Sequence, residues 1–227
     1  MESNKILIAF DLDDTLYKEI EFVKSAYRHI SNYINNSYGI NIQESFNILY
    51  NAYKSNKNPF DTLLDSHPII TESAMDLVEL YRYHTPTITL DHETTQLLEQ
   101  LNTAGYTLAI ITDGRSRTQR NKISALELLS YIDNENIIIS EEIGSDKTNI
   151  RNFLYFNDSY TTLYYVGDNP RKDFLNPNTL NWHTIMLRDS GENIHTQEIQ
   201  LSENHHAEYL IDTIAEVATI IETNNPD

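Results

Sequence analysis

The chain has 227 residues, enough for one core domain with a modest insertion, and its 40% hydrophobic content is too high for a disordered polymer. Sixteen Lys and Arg against 34 Asp and Glu leave a formal net charge of -18. Such a surface repels phosphate backbones and anionic lipid, so neither a nucleic-acid polymer nor a membrane is expected as a partner.

The absence of cysteine excludes disulfides, thiolate metal sites and a cysteine nucleophile. The opening MESNKILIAF has an early acid and only a strand-length apolar run, unlike a secretory signal. No apolar stretch reaches the ~20 residues of a membrane span. A cytoplasmic protein is therefore expected.

In chain order, Ile6–Phe10 is an apolar run of strand length that leads straight into Asp11-Leu-Asp13-Asp14-Thr15. Residues 17–84 then read as helix after helix. Val23, Ala26, Tyr27, Ile30 and Ile34 share one face of the first. Phe46, Leu49, Ala52 and Tyr53 share a face of the second, and Leu77, Leu80 and Tyr81 mark a later one. Gly39, Asn58-Pro59 and His67-Pro68 supply the breaks. After residues 87–90 the pattern changes. Apolar runs at 108–111, Ile137–Ile139 and 163–166, with fainter ones at His183–Leu187 and Tyr209–Ile211, alternate with helical stretches. One such stretch is 120–129, with Ile123, Leu126 and Leu129 on its apolar face. A closing helix over 213–221 takes Asp212 as its N-cap, and 224–227 reads as a loose tail. This alternation predicts an α/β fold with a doubly wound parallel sheet. The sheet domain comprises residues 1–16 and 86–223, and the helical module is inserted as residues 17–85.

Four segments carry chemistry, each at or beyond the C-terminal end of an expected strand, where open α/β sheets bind ligands. Buried carboxylates are costly unless hydrogen-bonded or bound to a cation, so Asp11, Asp13 and Asp14 at a strand end point to a site; a solvated acidic turn is the alternative. Asp11 and Asp13, two apart, share one direction off an extended backbone. Thr112-Asp113-Gly114 ends a strand in a hydroxyl and a glycine turn, able to hold phosphoryl oxygens, or is an ordinary connection. Lys147 would offset carboxylate and phosphate charge, or is a surface lysine. Gly167-Asp168 with Asp173 brings more oxygen ligands of the type Mg²⁺ takes. Asp173 could orient Lys147 or a metal-bound water.

Together these residues, in this order, resemble the haloacid dehalogenase-like (HAD) superfamily. Asp11-x-Asp13-x-Thr15 is similar to its first motif, and Thr112, Lys147 and the Gly167-Asp168 to Asp173 segment to its second, third and fourth. The resemblance spans nearly the whole sheet domain, and the helical insertion matches the family's C1-type cap. It implies a Rossmann-like core in which Asp11 attacks phosphorus and forms an aspartyl-phosphate, while Asp13 protonates the leaving oxygen and then activates water. It implies Mg²⁺ held by Asp11, Asp168 and the Asp13 backbone carbonyl. The phosphoryl group would rest on Thr112, Asp113, Gly114 and Lys147, with Thr15 and Asp173 in support.

Dehalogenases and phosphonate-cleaving relatives lack a carboxylate at the Asp13 position, so phosphate esters are the expected substrates. Residues 12–15 do not match the Lys-Thr-Gly-Thr of the ion-pump branch. Thr148 stands where many relatives have proline. A phosphatase acting on a small phosphorylated metabolite, a sugar phosphate before a nucleoside monophosphate, is the leading reading. A phosphomutase of the same family and a non-catalytic ligand-binding module are the alternatives. Half of the 16 basic residues (Arg115, Arg117, Arg120, Lys122, Lys147, Arg151, Arg171 and Lys172) fall in or after these loops, so they either form a positive rim or lie on solvated helix faces. His29 and His84, in or near the insertion, read as packing or surface residues, and nothing in the sequence specifies an oligomer.

Overall fold

The computed structural model describes residues 5–197 and 200–225. Its centre is a six-stranded sheet of β1 (Ile6–Phe10), β2 (Thr107–Thr112), β3 (Ile137–Ile139), β4 (Thr162–Gly167), β5 (His183–Leu187) and β6 (Tyr209–Ile211). The strand order is β3-β2-β1-β4-β5-β6 and every pairing is parallel. The helices of the described residues are α1 (Glu19–Tyr38), α2 (Ile42–Lys54), α3 (Pro59–Ser66), α4 (Ala74–Tyr83), α5 (His92–Thr103), α6 (Ser116–Ala125), α7 (Ser140–Ile143), α8 (Arg151–Asn157), α9 (Leu175–Thr179) and α10 (Glu216–Asn224).

A parallel sheet must be covered on both faces, and the period-two alternation of β1 divides the core accordingly. Ile6, Ile8 and Phe10 pack with Leu97, Leu98 and Leu101 of α5, Ile123 of α6 and Val217 and Ile221 of α10. Leu7 and Ala9 face the other way, against Phe153 and Phe156 of α8, Phe174 and Trp182. Both faces are therefore helix-covered, as the sequence pattern predicts for a doubly wound sheet.

Between β1 and α5 the chain folds α1–α4 around a hydrophobic cluster of their own. Val23, Tyr27, Ile30, Ile34, Leu49, Leu63 and Leu77 form its centre. The expected breaks are physical stops. Gly39 takes φ 72, the left-handed conformation that ends α1. Asn41 and Asn58 cap α2 and α3 by accepting two backbone N–H groups each, with Pro59 at the first turn. Ser73 and Asp76 close a reciprocal capping box on α4. Ile30 and Ile34 are fully buried, and truncating either to alanine should cost about 2–5 kcal/mol.

Three sequence expectations are corrected. The helix foreseen over 120–129 stops at Ala125, and Glu127 turns left-handed at φ 54. Leu128 is thereby buried and Leu129 is 56% exposed. Asp212 does not cap the last helix, which starts at Glu216. The Glu216 side chain accepts the N–H groups of Asp212 and Thr213 instead. That helix also runs through Asn224, and Asn225 donates to the Tyr164 hydroxyl, so the first two residues of the expected 224–227 tail are packed; residues 226–227 lie outside the described residues.

Candidate active site

Strand order reverses at β1, so the crevice beyond its C-terminal end is the topological switch point of the sheet. Asp11 leaves β1 still in register, its N–H donating to the Val166 carbonyl at 2.8 Å. Phe10 pairs with Ile110 on one side and Val166 on the other, so Asp11 emerges between the ends of β2 and β4, which deliver Thr112 and Asp168.

Lys147 joins the motifs. It is buried, and its ammonium lies 2.7 Å from Asp11 Oδ2, 2.6 Å from Asp173 Oδ1 and 3.3 Å from the Tyr165 hydroxyl. Its backbone is clamped too. The N–H donates to Asp113 Oδ1 (2.9 Å) and the carbonyl accepts from Asn176 (2.8 Å). Asp173 spends its second oxygen on the N–H groups of Asp168 and Asn169, at 3.2 and 2.8 Å. That wrap needs Gly167, because a Cβ there would lie 2.5 Å from Asp173 Oδ2. Of the two roles considered for Asp173, orienting Lys147 is therefore the one its geometry performs.

Asp13 sits in a separate polar nest. Tyr17 Oη and Lys122 Nζ donate to its Oδ1, the latter at 2.7 Å, and Gln119 Nε2 donates to Oδ2 at 2.9 Å. Burial pushes the Asp13 carboxyl up, but Lys122 with the Tyr17 and Gln119 hydrogen bonds outweighs it and holds the pKa below the usual carboxylate value. Lys122 is buried over the Phe22 ring and 3.8 Å from Glu19, which burial and then Asp13 push up to about 8. Gln119 Nε2 also donates to Thr112 Oγ1 (2.8 Å), which leaves the Thr112 hydroxyl hydrogen free to point elsewhere.

The remaining predicted residues divide. Asp113 lines the cleft and pairs with Lys172 at 3.1 Å. Gly114 takes φ 148 but gives its N–H to Ser140 Oγ at 2.9 Å and does not line the cleft. Thr15 is buried, its hydroxyl without a hydrogen-bond partner among the described residues. Asp14 is left-handed at φ 56, and its two oxygens accept the N–H groups of Glu19 and Ile194, both at 2.9 Å. The basic rim is mostly neutralised. Arg115 and Arg120 pair with Glu141 and Glu142, Arg117 stacks on Tyr83, and Arg151 and Arg171 are exposed. Lys147 and Lys172 reach the cleft, and Lys122 stands behind it on Asp13. His84 is buried, bonded to the Tyr81 carbonyl and Ser25, in keeping with a packing role.

Asp11, Asp168 and Asp173 bring carboxylate oxygens within 4.8 Å of one another. Asp173 is fully engaged, which leaves Asp11 and Asp168 as the pair open to a cation. Burial pushes Asp11 up to about 7 and Asp168 up to about 9, with Lys147 only partly offsetting the crowding. Carboxylates so desolvated fit a hard divalent cation that takes oxygen ligands.

Sequence reasoning missed the roles of Tyr17, Gln119 and Lys122. Gln119 and Lys122 are three apart on the helix that follows Thr112, so they share a face, a signal present in the sequence. Asn193 and His195 were also missed. Asn193 donates to Asp168 Oδ2 at 3.0 Å and His195 lines the cleft, but both come from a loop after β5 with no motif around it.

The chain belongs to the haloacid dehalogenase-like hydrolase family, whose model matches residues 8–187. Among individual proteins, it is 26% identical to a glyceraldehyde 3-phosphate phosphatase of Methanocaldococcus jannaschii over 97% of this chain and 98% of the relative. It is 25% identical to the protein of that name from Pyrococcus furiosus, over 96% and 94%. A HAD phosphatase structure from Thermococcus onnurineus aligns with TM-score 0.57 at 20% identity, covering 95% of this chain and 97% of the other. The magnesium-bound HAD-hydrolase YfnB of Bacillus subtilis aligns with TM-score 0.63 at 18% identity, covering 96% and 99%. No helix of the described residues is long and apolar enough to cross a membrane.

Proposed function

We propose that this protein is a phosphatase that hydrolyses a short sugar phosphate with no anionic group besides its phosphate, with glyceraldehyde 3-phosphate as the first candidate, through a phosphoryl group carried on Asp11. The observation that carries it is the Lys147 ammonium bridging Asp11 and Asp173 beside Asp168, at the switch point of the sheet. The relatives' shared name supports hydrolysis of a triose phosphate over a mutase or a binding module.

An Asp11 oxygen attacks phosphorus as the ester P–O bond breaks, and Asp13 gives its proton to the departing oxygen. Water then attacks the aspartyl-phosphate, Asp13 takes its proton, and inorganic phosphate leaves. Asp13 is held as the carboxylate in the free protein, the form the second step needs. The dianionic substrate beside it adds the negative charge that favours protonation for the first. The Thr112 hydroxyl and the Lys147 ammonium hold the transferring oxygens, where positioning and charge supply most of the rate gain. Asp11, Asp168 and the Asp13 carbonyl would hold Mg²⁺, which neutralises phosphoryl charge and templates the attack. Residues 17–85 act as the cap that excludes bulk water.

The cleft holds about 120 Å³, well under the roughly 300–1,000 Å³ of pockets for drug-sized ligands. Asp13, Asp14 and Glu19 line it, while Lys147 and Lys172 are each paired with a carboxylate. No spare cation among these serves a second anionic group, which favours a neutral triose over a phosphorylated carboxylic acid. The test is phosphate release across a panel of glyceraldehyde 3-phosphate, 3-phosphoglycerate, hexose phosphates and nucleoside monophosphates, with Asp11→Asn as control. Turnover of the triose that EDTA and Asp11→Asn each abolish is expected. Activity that survives either would refute the reading.

A further inference from the structure

After β5 the chain forms a loop, residues 188–197, that touches both the helical module and the carboxylate cluster. It is internally ordered. Asp189 Oδ1 accepts the N–H groups of Gly191, Glu192 and Asn193 at 2.7, 3.0 and 3.0 Å. Gln197 Oε1 accepts the Asp189 N–H at 2.9 Å, and Gln197 Nε2 reaches the carbonyls of Leu187 and Asp168, both at 2.8 Å. On the module side, Ile194 packs against the α1–α4 cluster and its N–H is held by Asp14.

Asn193 stands at the crossing. Its amide oxygen accepts from Lys18 Nζ at 2.8 Å, immediately before α1, and its amide nitrogen donates to Asp168 Oδ2 at 3.0 Å. An ammonium can only donate, so Lys18 fixes which end of the amide faces it. The NH₂ end is thereby turned to Asp168. Holding Oδ2 sets the carboxylate rotamer and hence the direction of Oδ1. Partners of this kind behind a metal ligand commonly alter affinity 10–100-fold.

We propose that residues 188–197 are a strap coupling the start of the helical module to the metal-ligating carboxylate, with Asn193 the positioning residue that orients Asp168 and Lys18 the residue that orients Asn193. This rests on the divalent-cation reading of the site given above. No part of the HAD motifs includes either residue.

The test is Mn²⁺ affinity, read without substrate from the electron paramagnetic resonance signal of free Mn²⁺, on the full chain. Asn193→Ala should raise Kd about tenfold or more. Lys18→Glu should invert the amide, turn its carbonyl toward Asp168 and also weaken binding at least severalfold. Mere addition of negative charge near a cation would tighten it, so the sign separates the two accounts. Circular dichroism and the melting temperature establish that each variant is folded. If Asn193→Ala does not fold, Lys18→Glu alone decides. An Asn193→Ala Kd within twofold of wild type, or tighter binding by Lys18→Glu, would overturn the strap. A wild type that binds no better than Asp168→Asn would overturn the cation reading beneath it as well.

Discussion

Replacing Asp168 by asparagine should stabilise the metal-free protein while abolishing its response to metal. The Asp168 pKa is raised from 3.8 to about 9, chiefly by burial and then by the charges of Asp173 and Asp11. Because the folded value lies above the unfolded one, the unfolded chain ionises first. The folded state therefore loses stability as pH rises from about 4 toward 9, at up to about 1.4 kcal/mol per pH unit. At pH 8 that sets a ceiling of roughly 5–6 kcal/mol, and relaxation of the site with entry of water into the cleft should reduce it to about 2–3 kcal/mol. An asparagine escapes this cost and can still accept from Asn193. For a chain of 227 residues the gain corresponds to about 5 °C in Tm. Thermal melts in EDTA should place Asp168→Asn about that much above wild type at pH 8, with the gap closing by pH 4. Added Mg²⁺ should raise the wild-type Tm and leave the variant unmoved. A variant melting below wild type in EDTA at pH 8 would refute the reasoning.

Two further perturbations probe other parts of the site. Lys122→Met removes the charge that keeps Asp13 below the usual carboxylate range, so the acidic limb of the kcat profile should move to higher pH and kcat should fall about 10–100-fold. A pH–rate profile of phosphate release measures this, and an unmoved limb would show that Lys122 does not set Asp13. Gly167→Ala forces a Cβ to within 2.5 Å of Asp173 Oδ2, which must shift off the Asp168 and Asn169 N–H groups and loosen its hold on Lys147. Urea unfolding should show a loss of about 1–3 kcal/mol, with an unchanged midpoint contradicting the close packing.

The strands were legible because a buried parallel strand is a short unbroken apolar run, even at Tyr209–Ile211, and the module's helices were legible from their apolar faces and their Gly39, Asn58 and His67 stops. The reading failed where backbone conformation decides. Nothing in the periodicity of 120–129 announces that Glu127 turns left-handed and exchanges Leu128 for Leu129 in the core. The motif residues were legible because carboxylates at strand ends stand out against apolar neighbours. The nest around Asp13 was not, because Gln119 and Lys122 are ordinary polar residues on a helix until tertiary packing brings them across to Asp13, 106 and 109 positions away. Asn193 lies 25 positions from its carboxylate in a loop without pattern, and only the fold joins them. The sequence left the basic cluster open between a rim and solvated faces because it counts charges without their partners, and Glu141 and Glu142 take up Arg115 and Arg120.

The most direct measurement is a crystal structure grown with Mg²⁺ and beryllium fluoride, a mimic of a phosphoryl group on a carboxylate. One ion is expected about 2.0–2.1 Å from oxygens of both Asp11 and Asp168, with the fluoride mimic attached to Asp11 and contacted by Lys147 and Thr112. An ion bound elsewhere, or the mimic seated on any residue other than Asp11, would contradict the account.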